Sequence, residues 1–327
     1  MSRATRIPLI VDVAVIGGGA LGAATAWLLA RRGVPVALVE EGSARQVRDA
    51  VRGTAWSDHP GWADTPESVR AAAVGLWRTL EAETGAGLLR RADTLEHGRC
   101  RPGPRTLTPT EAAAGWIGSF TGPVALHRGA GVQVAASQAV AALTAAAAGH
   151  GAVLRHRCGR ASVLVSGDRV EITTATGSVH ARRAVVTTVV PDATVELHVA
   201  CGRTRLPLAA HEHPELGQVR IAPCAGGHVA VSARGVPEDR LREYARAWLP
   251  GIDTGTDPGA AGEGGFAQIV APAARSTGGG RVHVEAAGPV VSATTDTVGS
   301  VAAPAWARLL ADTVTGAGPT VTARRAS

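Results

Sequence analysis

The sequence predicts an α/β fold of mixed α+β character, in which a parallel sheet flanked by helices is interleaved with a β-rich second part. Three observations carry that prediction. Residues Val11 to Glu40 read as a buried strand, a glycine-rich turn, a helix and a second strand. Segments of helical period recur far apart, at Thr65–Gly85, Gln133–Ala148 and Pro304–Val314. Short β-branched runs fill the intervals, densest over residues 88–134 and 193–251.

The first stretch is the most informative. Val11–Ile16 is short, apolar and β-branched, the composition of a strand buried on both faces. It runs into Gly17, Gly19 and Gly22, spaced G-x-G-x-x-G. Gly17 permits the tight turn, and Gly19 leaves the backbone open to a diphosphate. Gly22 lets the following helix pack close, while the free N–H groups at Ala20, Leu21 and Gly22 favour an anion. Gly33 stops the helix, and a second apolar run, Pro35–Val39, ends on Glu40. Glu40 stands 18 residues beyond Gly22, where a carboxylate meets ribose hydroxyls. An acid there repels a 2′-phosphate, so the pattern favours FAD or NAD over NADP. Glu41 is its neighbour in the same site. These parts together define a Rossmann-like dinucleotide-binding unit. Asp12 and the glycines interrupt the apolar run, which argues against an export signal or a membrane span.

Composition narrows the partners. The 327 residues suffice for one large or two medium domains. There is no lysine, so every side-chain cation other than histidine is arginine, and the net charge is +6. The arginines are scattered in ones and twos without interleaved aromatics, the pattern of a solvated basic surface rather than of nucleic-acid binding. A small-molecule substrate, including an anionic one, suits this charge. Cys100, Cys158, Cys201 and Cys224 have neither CxxC nor metal-ligand spacing, which fits a reduced, cytoplasmic chain.

Residues 41–62 read as a long polar loop leaving the carboxyl edge of the sheet, where ligands of open α/β sheets collect. Arg48 and Arg52 are candidate substrate or cofactor contacts there, and His59 is a candidate beside them. Trp56 reads either as a wall of the site or as loop packing. Thr65 and Pro66 are placed as N-cap and first residue of a helix that ends at Gly85 or Gly87. His211 and His213 lie two apart on one strand without a third ligand, so no metal site is expected. His228 opens a strand. Near the end, Gly288-Pro289 reads as a loop leading to Thr294, Thr295 and Asp296 and then to a helix. The resulting division assigns 1–87, 135–192 and 266–327 to a discontinuous cofactor domain. It assigns 88–134 and 193–265 to a β-rich substrate or cap domain.

The order of these parts resembles the D-amino-acid oxidase superfamily of flavoproteins, near glycine oxidase and monomeric sarcosine oxidase. The carrying segments are VIGGGALGAATAWLLARRGVPVALVE, RRAVVTTVVPDA, PEDRLREYARAWLPGI and RVHVEAAGPVVSATTDTVGSVAAPAWARLLADTVTG. The resemblance implies an FAD-binding domain, a substrate domain, and hydride transfer from a C–H beside an amine nitrogen to the flavin. It implies that the loop with Arg48 and Arg52 lies near the flavin ring. It also implies that Gly288, Thr294 and Thr295 belong to a C-terminal flavin loop. The chain departs from the family in lacking the lysine with which the sarcosine-oxidase branch activates oxygen. It also carries Val190-Pro191-Asp192 where the family has glycine with a small or aromatic residue. The expected activity is oxidation of a C–N bond in a small amine, amino acid or cyclic imine. The alternatives are a degenerate or empty scaffold of the same fold, and an NAD(P)H-dependent flavin monooxygenase.

Overall fold

The computed structural model describes residues 8–43, 55–60, 62, 65–98, 105–116, 118–189, 194–200, 208–223, 228–249, 282–295 and 300–317. The α/β class predicted from the sequence is observed, built on two sheets. The first contains β1 (Leu9–Ile16), β2 (Val36–Val39), β7 (Val153–Arg155), β8 (Ser162–Ser166), β9 (Arg169–Thr174), β10 (Gly177–Val189), β15 (Val282–Ala287) and β16 (Val290–Thr295). Its order is β15-β16-β10-β1-β2-β7, with β9 on β10 and β8 on β9. Neighbours from β16 through β10, β1 and β2 to β7 run parallel. Helix α1 (Ala20–Arg31) carries the chain from β1 to β2 on one side, whereas β10 flanks β1 on the other. The strand order therefore reverses between β1 and β10, which makes that point the ligand crevice of an open α/β sheet.

One face of this sheet packs on helices. Helices α1, α2 (Glu67–Thr84), α4 (Ala136–Gly149) and α6 (Ala303–Thr315) supply a single core that includes Trp27, Trp77, Leu80, Leu143 and Leu310. Alanine dominates α1 and α4, so the two helices approach closely across small side chains. The other face is covered by the β8–β9–β10 meander, through Val170, Ile172, Val179 and Cys158 against Val11, Ala14, Ala37 and Val39. Cys158 is a buried free thiol.

The second sheet contains β3 (Ala55–Asp58), β4 (Leu89–His97), β5 (Arg105–Leu107), β6 (Val124–Ala135), β11 (Thr194–Ala200), β12 (Leu208–His213), β13 (Gly217–Pro223) and β14 (His228–Arg234). Its order is β11-β14-β13-β12-β4-β6-β3, with β5 on β6. Helix α5 (Glu238–Trp248) covers one face through Leu241, Tyr244, Ala245 and Trp248. The short α3 (Pro109–Gly115) is held by a capping box between Thr108 and Glu111. No described helix is long and apolar enough to cross a membrane.

Three local expectations are corrected. Residues 55–58, read as loop, form β3, because alternation buries Trp56 against Trp77 while Ser57 turns to Gln133. Helix α2 starts one residue later than expected, with Pro66 in the cap position and no side-chain cap bond. Its entry is held instead by Arg70, whose guanidinium reaches Asp58, Glu67 and the carbonyls of His59 and Thr65. Residues 290–295, read as a loop, form β16, since Val290–Thr295 finds a parallel partner in β10 and an antiparallel one in β15.

The Arg70–Asp58 pair ties α2 to the second sheet, and both side chains are under one tenth exposed. Burial pushes the Asp58 carboxyl up, and Arg70 opposes that rise. Removing one partner strands a buried charge, which costs about 3–5 kcal/mol. Arg70→Ala is expected to lower the melting temperature by several degrees in calorimetry. An unchanged melting temperature would show that the pair does not hold α2.

Candidate cofactor site at the first β-to-α corner

Strand registers place four residues in one row at the carboxyl edge of the first sheet. Ile16 is level with Val186 and Val39, and Val39 with Arg155. One residue further on stand Thr187, Gly17, Glu40 and His156. Gly17 has φ +111°, and a Cβ there would lie 2.3 Å from the Thr187 hydroxyl and 2.8 Å from its carbonyl oxygen. The Thr187 hydroxyl donates to the Ile16 carbonyl at 3.0 Å, and the Gly17 N–H to the Val39 carbonyl at 2.9 Å. A Cβ on Gly22 would lie 1.8 Å from the Gly17 carbonyl oxygen. The third glycine is thus required by the corner's own backbone.

Gly18, which the spacing motif leaves unspecified, meets a side chain instead of backbone. Its Cβ would lie 2.0 Å from Glu40 Oε1 and 2.2 Å from Cδ. The Glu40 carboxylate therefore lies against the bare main chain of the corner. Its Oε2 bonds His156 Nδ1 at 2.7 Å, while Oε1 is buried without a partner. Burial pushes this carboxyl up, and the bond and charge of His156 pull it back. Glu41 is exposed, and its carbonyl accepts from the Gly159 N–H at 3.2 Å. Helix α1 begins at buried Ala20 and Leu21, with no side-chain cap on Gly19 and no acid in its first turn. Uncapped N–H groups, a glycine cradle and an orphaned carboxylate oxygen fit a dinucleotide, with diphosphate at the helix and ribose at Glu40.

The other sequence candidates divide. Thr294 and Thr295 close β16 at this same edge, paired with Thr188 and Val189, just past Thr187. Gly288 does not join them. It is the hairpin turn (φ +58°) at the amino end of β16, about 20 Å of strand away at ~3.3 Å per residue. His59 is wholly buried, its Nε2 3.1 Å from the Leu95 carbonyl oxygen and its ring stacked on Trp62. That position joins β3 to β4 and does not present the imidazole to a ligand. Trp56 packs on Trp77. Arg48, Arg52 and Asp296 lie outside the described residues, as does the side chain of His228.

His211 and His213 belong to a ring cluster under α5. His211 Nδ1 bonds the Tyr244 hydroxyl at 2.7 Å, and its ring lies 4.2 Å from His97 and 5.6 Å from His213. Among the described residues no group of His, Cys, Asp or Glu has the geometry to hold a metal ion. Burial, with His97 and His213 alongside, lowers the His211 pKa from 6.5 to about 4.

Sequence reasoning missed the opposite face of the second sheet. There Trp62 packs with Ala92, Leu208, Ala210 and Ala222, and the Arg220 guanidinium lies 5.4 Å from the Trp62 ring centre. Thr94 and Glu96 alternate onto this face of β4, with His127 Nε2 3.6 Å from Glu96. β2 and β10, which precede β3 and β11 of the second sheet in the chain, both end at the carboxyl edge of the first sheet. The sheet bearing this polar face is therefore tethered beside the cofactor corner.

Residues 12–273 match the family model for FAD-dependent oxidoreductases named DAO. The chain belongs to this family. Its cofactor is FAD, and its class is oxidoreductase. Solved structures of similar fold include a glycine oxidase from Bacillus cereus, 18% identical with TM-score 0.68, covering 94% of this chain and 96% of that one. NikD, an amino acid oxidase essential for nikkomycin biosynthesis, is 18% identical with TM-score 0.66 and 95% coverage of both chains. An iminodiacetate oxidase from Chelativorans is 17% identical with TM-score 0.67, covering 96% and 98%. None of the curated proteins matches the sequence.

Gly18→Ala is expected to fold yet lose most of its bound FAD, because the new methyl displaces the Glu40 carboxylate. Flavin absorbance per mole of purified protein measures this, and full occupancy would remove Glu40 from the site. For His211, the unfolded chain takes a proton near pH 6.5 that the folded ring refuses until about pH 4. Stability should fall as pH drops through that window. His211→Asn should flatten the fall in thermal melts, and an unaltered slope would locate the titration elsewhere.

Proposed function

We propose that this oxidoreductase oxidises a C–N bond of a small amine, amino acid or cyclic imine. The observation that carries the reading is the glycine corner at the strand-order reversal, with one oxygen of Glu40 buried and unpartnered beside it. FAD, when bound, supplies the hydride acceptor that such a reaction needs. Gly17, Gly18 and Gly22 would leave room for its diphosphate, the first turn of α1 would offer N–H groups, and Glu40 would accept from its ribose. Thr294 and Thr295 lie at the edge where the flavin end would lie. The solved structures of similar fold carry names of enzymes acting on glycine, iminodiacetate and amino acids, all bearing carbon next to nitrogen.

The chain's own residues then have to bind and orient the substrate and keep water away. Trp62, buried against His59, backs this face, and Arg220 over its ring is a cation that suits a substrate carboxylate. Glu96 with His127 offers the opposite sign on the same sheet face, suited to an ammonium. Arg48 and Arg52 remain proposed substrate contacts by their place in the chain. The likeness to NikD supports a substrate drawn from specialised metabolism.

The purified protein is expected to be yellow and to release FAD on heating. Under anaerobic conditions one or more members of a panel of amines, amino acids and cyclic imines should bleach it, whereas NADPH alone should not. Bleaching by NADPH with none by the panel would replace this reading with a monooxygenase.

A further inference from the structure

We propose that His156 is the positioning residue of the nucleotide site: it holds one oxygen of Glu40 so that the other faces the ribose of FAD, and it thereby sets the acid limit of FAD binding. The proposal rests on the FAD assignment and assigns a second residue to it. Glu40 and His156 are set side by side by the parallel pairing of β2 and β7. The turns beyond those strands are clamped by backbone bonds. Glu40 N–H donates to the Arg155 carbonyl at 2.8 Å, Cys158 N–H to that of Glu40 at 3.0 Å, and Arg157 N–H to that of Gly42 at 2.7 Å. Arg157, next to His156, is the one described non-glycine residue at positive φ, +58°. A backbone held in that region marks a constrained turn, and here the constraint delivers the imidazole to Glu40.

The division of labour within the carboxylate follows. Oε2 takes the His156 N–H at 2.7 Å, and Oε1 stays buried against Gly18 with nothing to bond. A free carboxylate could rotate; one oxygen tethered to His156 leaves the other in a single place. The neighbouring ionisable groups do not substitute for it. Arg155 extends toward Gly177, Glu41 is exposed, the Cys158 thiol lies against the His156 carbonyl and Thr176, and Arg157 only flanks His156 in the chain. His156 is the group whose charge and bond act on Glu40.

The ribose hydroxyl donates to the ionised carboxylate, so protonating Glu40 weakens FAD binding as pH falls. His156 favours the ionised form against burial. Removing it should move the onset of weakening to higher pH. The test is calorimetric titration of apoprotein with FAD across the mildly acidic to neutral range. His156→Ala should move the acid limb to higher pH, read as a loss of affinity on the limb and none at neutral pH. His156→Gln, which keeps an N–H donor, should recover part of the shift, and it serves as the test should the alanine variant fail to fold. In a Glu40→Gln background the profile should be flat and the His156 change should no longer move it. A uniform loss at every pH, or a limb that survives Glu40→Gln, would overturn the proposal. A wild-type chain that binds no FAD would overturn the cofactor assignment with it, whereas FAD binding with an unshifted limb would overturn this inference alone.

Discussion

The structure depends on the closeness with which three backbones meet at the first β-to-α corner. The Gly17 carbonyl, the first turn of α1 and Thr187 of β10 occupy a space in which no Cβ fits at Gly17 or Gly22. That crowding is what requires glycine at both positions. With side chains absent, the corner presents N–H groups and a carboxylate edge to the crevice between β1 and β10, where the sheet's strand order reverses.

The second sheet matters because of how it is tied to this corner. Helix α2 faces both parts of the molecule. Trp77 lies in the helical core, donates to the Val301 carbonyl at 2.8 Å and packs on Trp56 of β3. Arg70, one turn from the start of the same helix, grips Asp58 at the end of β3. Through Trp77, β3 is in contact with the helix that bonds the segment leading into α6. Buried ionic and aromatic contacts thus join the sheet that carries Trp62, Arg220, Glu96 and His127 to the helical core on the first sheet.

Much of this was legible in the sequence where local pattern and tertiary role coincide. The G-x-G-x-x-G spacing, the β-branched strands and the stop at Gly85 (φ +70°) each follow from backbone conformation or local burial. Legibility fails where partners are distant. Residues 55–58 carry too few apolar groups to announce a strand, and only β6 beside them makes one. Gly288-Pro289 looks like a loop entering a site, yet the antiparallel partner β15 makes it a hairpin turn at the wrong end of β16. His59 resembles a site histidine in a polar stretch until the Leu95 carbonyl and Trp62 enclose it.

The sequence by itself determined the class of fold, the glycine corner between β1 and α1, and the acid at the end of β2. Those features are written in spacings of a few residues, set by which φ and which side-chain volume a turn can accept. Only the tertiary structure decided that Glu40 shares its carboxylate with His156, 116 positions away. It also decided that Gly18 is constrained by that same carboxylate, and that Glu96, His127, Trp62 and Arg220 share one sheet face. Such assignments come from strand register and sheet order, which depend on pairings between segments far apart in the chain and leave no local periodicity to read.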